Sequence, residues 1–116
     1  MGYTAYKVKR EELQVIPKHE KVFMHHITEE FGVPTGTLKP EAPKEVLVIG
    51  YASDDQGEAL VVRVDGRDTN KGGKQYHITV SCIEGTGPVY SNKLIANGWE
   101  PITPYAINVD PMVVEW

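Results

Sequence analysis

Two short segments of this 116-residue chain combine a histidine and a threonine in the same order and spacing. They are His26-Ile27-Thr28 and His77-Ile78-Thr79. Histidine both accepts and donates protons near neutral pH, because its ordinary pKa is about 6.5. A threonine hydroxyl donates a hydrogen bond to a phosphate oxygen. Two such pairs on opposite sides of a phosphodiester are suited to general acid–base catalysis, with one histidine activating water and the other protonating the leaving oxygen.

The second segment has the clearer strand pattern. Residues 75–83 are rich in β-forming side chains, and side chains alternate between the two faces of a strand. The two faces divide into an apolar set and a polar set: Tyr76, Ile78, Val80 and Cys82 against Gln75, His77, Thr79 and Ser81. We therefore expect the apolar face to enter the core and His77 and Thr79 to share the opposite face.

The first segment lies in a predicted strand over residues 21–28 and is less regular. His26 and Thr28 share a face, but neither face of this strand is purely polar. A bulge would shift the register by one residue and put His25 in place of His26. The threonine two residues on favours His26, and both alternatives stay open. A further alternative also stays open: the two His-Thr pairs are ordinary polar pairs on strands without a catalytic role, since a single His-x-Thr arises easily by chance.

The remaining elements indicate one α+β domain over residues 1–116, mostly antiparallel strands with one or two short helices. Gly and Pro mark residues 32–43 as a loop, and residues 65–74 are a polar loop. Ser91 is the expected N-cap of the second helix, which ends at Asn97-Gly98. The other strands are predicted at residues 3–8, at 45–52 and 59–64 as a hairpin, and at 106–116 with Pro111 at an edge or break; the helices are predicted at 10–16 and 92–96.

Composition narrows the classes of partner and compartment. The net charge of -4 argues against tight binding of long duplex nucleic acid, which requires a basic surface. The single cysteine, Cys82, excludes an internal disulfide and fits a reducing cytoplasm. No apolar run is long enough to span a bilayer and no signal peptide is evident, so we expect a cytoplasmic protein without a membrane partner.

The longer context of both segments resembles the two-histidine (2H) phosphoesterase family. Residues 25–32, His-His-Ile-Thr-Glu-Glu-Phe-Gly, are similar to the first motif of that family, and residues 76–81 are similar to the second. Residues 87–95, with Pro88, Val89, Ser91 and Asn92, resemble the continuation found in compact bacterial and phage members grouped with RNA-repair proteins. The hairpin with Gly50-Tyr51 also resembles that group, so the similarity covers about residues 3 to 100.

The resemblance implies a fold of two pseudo-symmetric β-rich lobes, each giving one motif strand to a central cleft. It implies metal-independent, cofactor-free chemistry on cyclic phosphates or RNA ends, in the host cytoplasm if the protein is phage-encoded. It assigns catalysis to His26 and His77 and phosphate binding to Thr28 and Thr79. Glu29 departs from the family pattern, which has an apolar residue there, so we expect the first motif strand to end early or bend.

Several other residues are weaker candidates. Tyr90, Ser91 and Lys74 are possible substrate contacts, although tyrosines more often pack at a core edge and lysines are usually solvated. The adjacent His25 and His26 are expected on opposite faces of a strand, so we predict no metal site. Cys82 is expected to be a buried apolar residue rather than a nucleophile.

The leading functional hypothesis is a 2H-type phosphodiesterase acting on a cyclic phosphate or a short oligonucleotide, with a bell-shaped rate profile around neutral pH. The alternative is a module that binds and sequesters a nucleotide in the same cleft without turnover. A structural or interaction domain without a ligand is the third. The substrate, the acid and base roles, and the oligomeric state stay open at this point.

Overall fold

A computed structural model describes all 116 residues and has eight strands and one α-helix. All strand pairings are antiparallel, so the predicted α+β class with mostly antiparallel strands is confirmed. The elements in chain order are β1 (Gly2–Val8), β2 (Lys21–Val22), β3 (His26–Val33), β4 (Val46–Ser53), β5 (Gly57–Val64), β6 (His77–Cys82), α1 (Tyr90–Ala96), β7 (Glu100–Ala106) and β8 (Val109–Glu115). The helix is not long and apolar enough to cross a membrane.

The strands form two sheets. The smaller has the order β3-β1-β8, and the larger has the order β2-β6-β5-β4-β7. The predicted hairpin is confirmed as β4 and β5, which pair along their whole length. Pro111 lies in β8, an edge strand, where its missing N–H costs no hydrogen bond within the sheet.

The main apolar core contains side chains from both sheets. Tyr6, Val8 and Ile27 come from the smaller sheet, and Leu60 and Ile78 are among those from the larger one. A second, smaller cluster lies under α1, where Leu94 and Ile95 pack on β4 and β5. The larger sheet therefore has one face against the main core and part of the other against the helix.

Two predicted elements are wrong in extent. The strand expected over residues 21–28 is divided, because Met24 has a φ of 49° and turns the chain out of the larger sheet before β3 begins in the smaller one. The helix expected over residues 10–16 is one 3-10 turn, Arg10–Glu12. A helix this short is marginal by itself, and the chain after Glu12 turns extended and buries Leu13 in the main core.

The helix after the second motif also begins differently. It starts at Tyr90, with Val89 at the N-cap and no side-chain cap, so the prediction of Ser91 as N-cap is wrong. Ser91 lies inside the first turn and is buried, where its hydroxyl contacts β6. The predicted end is confirmed, since Asn97 is the C-cap and Gly98 follows with a φ of 123°.

Candidate active site

β6 carries the second motif as the alternation predicts. Tyr76, Ile78 and Val80 are fully buried on the core side, and His77 and Thr79 are half-buried on the opposite face. Ser81, the next residue of the polar row, is also buried, and its hydroxyl donates to Glu58 at 2.7 Å. The polar row of β6 is therefore partly exposed at His77 and Thr79, in the candidate site, and fully buried at Ser81.

The ring of His77 has a defined orientation. Its Nδ1 lies 2.9 Å from the carbonyl oxygen of Gln75, and a carbonyl only accepts hydrogen bonds. Nδ1 therefore carries the proton in the neutral ring, which leaves Nε2 as a proton acceptor. Burial lowers the pKa of His77, and the hydrogen bond to Gln75 opposes that effect in part.

Thr79 is held by the segment that leads into α1. Its hydroxyl lies 2.8 Å from that of Ser91 and 3.4 Å from the carbonyl oxygen of Pro88, to which it is oriented to donate. Because α1 is anchored by Leu94 and Ile95, Ser91 is a fixed partner for this threonine. Ser91, which was among the predicted substrate contacts, thus contacts Thr79 of the second motif directly.

β3 carries the first motif, and His26 and Thr28 again share one face. Ile27 and Glu29 between and after them are buried on the core side. The hydroxyl of Thr28 has no protein partner, while its carbonyl oxygen accepts from the side chain of Asn70 at 3.1 Å. Thr28 thus presents a free hydroxyl on a backbone that is held from the other side.

The two motifs meet where the chain crosses from one sheet to the other. Before β3, the backbone N–H groups of Phe23 and Met24 donate to the carbonyls of Val80 and Thr79, both at 2.9 Å. β3, which carries His26, is also in contact with β6, which carries His77. At the crossing the carbonyl of His25 instead accepts from Val8 of β1, which begins the smaller sheet.

His26 lies close to two other imidazoles. Its Nδ1 is 3.0 Å from Nδ1 of His25, so the N–H of one ring donates a hydrogen bond to the other ring. Burial lowers the pKa of His26 to about 4, and the charges of His25 and His77 act in the same direction. The strands of the two motif histidines are in contact, so the charge of His77 reaches His26.

The prediction that His25 and His26 point to opposite faces is wrong, because His25 precedes β3 and is not bound by strand alternation. His25 is exposed, and His26 is half-buried. No group of three or more histidine, cysteine or carboxylate side chains is arranged to hold a metal ion.

Glu29 is a buried carboxylate that the sequence did not identify as part of the site's support. It is 2% exposed, and its Oε1 accepts hydrogen bonds from the hydroxyls of Tyr6 and Tyr76, both at 2.7 Å. Its Oε2 accepts from the backbone N–H of Lys71 at 3.1 Å, and Arg67 lies 3.7 Å from Oε1. Burial, followed by the contact with Glu29, raises the pKa of both tyrosines.

This buried carboxylate shapes the first motif strand. β3 does not end at Glu29 but continues to Val33, so the expectation of an early end is wrong. The expectation of a bend is met by a register shift opposite Thr4 and Ala5, where Glu29 has no partner in β1. The only signal in the sequence is an acidic residue at a core-facing position of the strand.

The other predicted contacts lie outside this arrangement. The hydroxyl of Tyr90 donates to the carboxylate of Asp54, so it is committed to the β4–β5 turn. Lys74 is exposed, its ammonium forms no ion pair, and its backbone N–H donates to Asn70 at 3.1 Å. Cys82 is buried as expected, and burial raises the pKa of its thiol.

No known family model matches the chain, and neither a curated protein nor a solved structure is significantly similar to it.

Proposed function

We propose that this protein is a metal-independent phosphoesterase of the 2H type that hydrolyses a cyclic phosphate or a phosphodiester of a short oligonucleotide. The observation that carries the proposal is the contact between β3 and β6, the strands of His26 and His77, at the junction of the two sheets. Each histidine has a threonine on the same face of its strand. Such an arrangement supplies a base, an acid and hydroxyl donors around one phosphate. The smaller and the larger sheet would be the two lobes implied by the 2H resemblance.

We assign His77 as the base and His26 as the acid from their hydrogen bonds. The Nε2 of His77 has a free lone pair and takes the proton of the attacking water, whose oxygen forms the new bond to phosphorus. The bond from phosphorus to the leaving oxygen breaks, and His26 gives its proton to that oxygen, which becomes a hydroxyl. The net result is a phosphate monoester; the proton gained by His77 returns to solvent, and a proton from solvent restores His26.

His25 can supply His26 with the proton that His26 rarely carries at neutral pH because its pKa is low. With a pKa of about 4, His26 is mostly neutral at pH 7. A bound phosphate anion favours the protonated ring, because an opposite charge raises the pKa of histidine. The Nδ1–Nδ1 contact with the exposed His25 provides a route for a proton from solvent to His26.

Thr28 and Thr79 bind the non-bridging oxygens. The free hydroxyl of Thr28 donates to the negative charge that increases in the transition state. The hydroxyl of Thr79 accepts from Ser91 and turns its own proton from the carbonyl of Pro88, a long contact of 3.4 Å, to the phosphate. Because each threonine lies two residues after its histidine, on the same face of the strand, the hydroxyl donors and the histidine rings face the same phosphate.

The test is turnover in EDTA. We expect hydrolysis of 2′,3′-cyclic nucleotides or 2′-5′ oligoadenylate, reduced about 100-fold or more in His26→Ala and in His77→Ala. His19→Ala is the matched control, since that ring binds the carbonyl of Asp54 at the β4–β5 turn and not the site. Turnover that survives both motif substitutions would contradict the mechanism. Binding without turnover would instead favour the sequestering module.

A further inference from the structure

A cluster of three aromatic side chains continues directly from His26. The ring of Tyr3 stacks on His26, with centroids 5.2 Å apart and planes 30° apart. Beyond Tyr3 lie Phe31, at 6.4 Å and 14°, and Trp116, at 6.2 Å and 44°. Phe31 and Trp116 also contact each other, with centroids 5.5 Å apart. We call Tyr3, Phe31 and Trp116 the aromatic platform.

All three strands of the smaller sheet contribute to the platform. Tyr3 of the central β1 pairs with Phe31 of β3 on one side and with Val114 of β8 on the other. Trp116 follows β8, and its backbone N–H donates to the carbonyl of Met1 at 2.8 Å. A Cβ on Gly2 would lie 2.0 Å from the carbonyl oxygen of Val114, so this close approach of β8 requires glycine. The platform is therefore held by the sheet backbone on both sides.

The platform is open to solvent. Phe31 is 72% exposed and Trp116 is 63% exposed, although burying a large apolar side chain is worth about 1.5–3 kcal/mol. Their contacts with each other and with Tyr3 leave most of both side chains uncovered. Two large aromatic side chains kept exposed beside a candidate catalytic histidine are typical of a surface that stacks on a ligand.

We infer that the aromatic platform binds the nucleobase of a substrate whose phosphate lies between His26 and His77. This inference rests on the proposed function and restricts its substrate class to nucleotide phosphodiesters. Continuity with the site favours this occupant, since a ligand that carries both an anionic phosphate and a flat aromatic ring would contact the histidines and the platform together. Every base has a π-face, so stacking tolerates different bases, and the larger ring system of a purine gives more overlap.

The test compares two phosphate ligands that differ in the base. Adenosine 5′-monophosphate carries a purine, and ribose 5-phosphate carries the same sugar and phosphate without it. We expect the adenosine compound to quench tryptophan fluorescence and to bind about 10-fold to 100-fold more tightly. The quenching should disappear in Trp116→Phe, because the other tryptophan, Trp99, packs against Gly50 elsewhere in the fold.

Substitutions then test whether the platform causes the preference for the adenosine ligand. Phe31→Ala and Trp116→Ala should each remove most of the difference between the two ligands, and Phe31→Leu tests the loss of the π-face with apolar volume kept. Ile16→Ala is the matched control, since Ile16 is 89% exposed and lines a separate groove. Unfolding temperatures close to wild type would establish that the variants are folded.

Equal affinity for the two ligands, no binding of either, or unchanged preference in both alanine variants would overturn the inference. A dimer that Phe31→Ala dissociates, without any preference for the base, would overturn it in favour of a second copy of the chain on this face.

The two proposals fail separately. His77→Ala should abolish hydrolysis of 2′,3′-cyclic AMP and retain the preference for the adenosine ligand. A base preference in a protein without turnover would support the platform and reject the phosphoesterase. Turnover with a KM unaffected by Phe31→Ala and Trp116→Ala would support the phosphoesterase and reject the platform as a base-binding surface.

Discussion

Replacing Glu29 by leucine tests whether a buried carboxylate organises the first motif. Leucine supplies an apolar residue of the kind the 2H motif has at this position, but it removes the acceptor shared by Tyr6 and Tyr76. Both hydroxyls would then be buried without an acceptor. The backbone N–H of Lys71 would lose its bond to the carboxylate and keep the one to the carbonyl of Glu29.

The magnitude follows from these contacts. A buried donor without an acceptor costs about 1–3 kcal/mol, so two tyrosine hydroxyls give about 2–6 kcal/mol. The apolar volume of leucine and the removal of a desolvated charge offset part of this loss. We expect Glu29→Leu to lower the free energy of unfolding by about 3 kcal/mol, a large share of the 5–15 kcal/mol typical of a domain.

Equilibrium urea unfolding, followed by circular dichroism, measures the change. Glu29→Gln is the matched variant, because its amide oxygen still accepts from both tyrosines, and we expect a loss of about 1–2 kcal/mol. In the double variants with either Tyr6→Phe or Tyr76→Phe, the effect of Glu29→Leu should shrink, since one hydroxyl fewer is left unpaired. A loss below about 1 kcal/mol for Glu29→Leu, or full additivity in the double variants, would refute the reasoning.

Three further predictions concern the site. Catalysis needs neutral His77 and protonated His26, and the pKa of both is lowered, so kcat/KM should peak below pH 6.5 and not around neutrality as the sequence alone predicts; an optimum at or above pH 7 would contradict this. Because the pKa of His26 falls from an ordinary value of about 6.5 to about 4, the unfolded chain binds more protons in that window, and stability should decrease as pH falls through it. Urea unfolding at pH 7 and at pH 4.5 measures this loss of unfolding free energy, which should be smaller in His26→Gln than in the wild type. The difference between the two proteins should be at most about 3 kcal/mol, and less because solvent screens the half-buried ring. Equal losses in both proteins would show that the pKa of His26 is not lowered. Thr79→Val should lower kcat about 100-fold with little change in KM, and Ser91→Ala should lower it less, since Ser91 acts through Thr79; equal effects would argue against that order.

The strand pattern of the second motif was predictable because it is local. Side chains alternate along any strand, so the row from Tyr76 to Cys82 identified its core face before the fold was known. The β4–β5 hairpin was predictable for the same reason, since two β-rich runs flank a short polar turn. The first motif gave its shared face for His26 and Thr28, but not the division of its strand at Met24.

The supporting residues of the site were not predictable, because their partners are distant in sequence. Glu29 is paired with Tyr6 and Tyr76, which lie 23 and 47 residues away along the chain. The local pattern predicts Ser91 as a helix cap, whereas in the fold its hydroxyl contacts Thr79, 12 residues away along the chain. Local patterns report the periodicity of a segment and carry no information on which buried donor meets which acceptor.

The sequence by itself determined which residues have the right chemistry and which of them share a strand face. It placed His77 with Thr79 and His26 with Thr28, because strand periodicity depends only on neighbouring residues. Only the tertiary structure decided that the strands of the two pairs come into contact, that His25 contacts His26, and that Tyr3, Phe31 and Trp116 form one surface. The physical reason is that the register between strands is fixed by backbone hydrogen bonds and core packing over the whole chain.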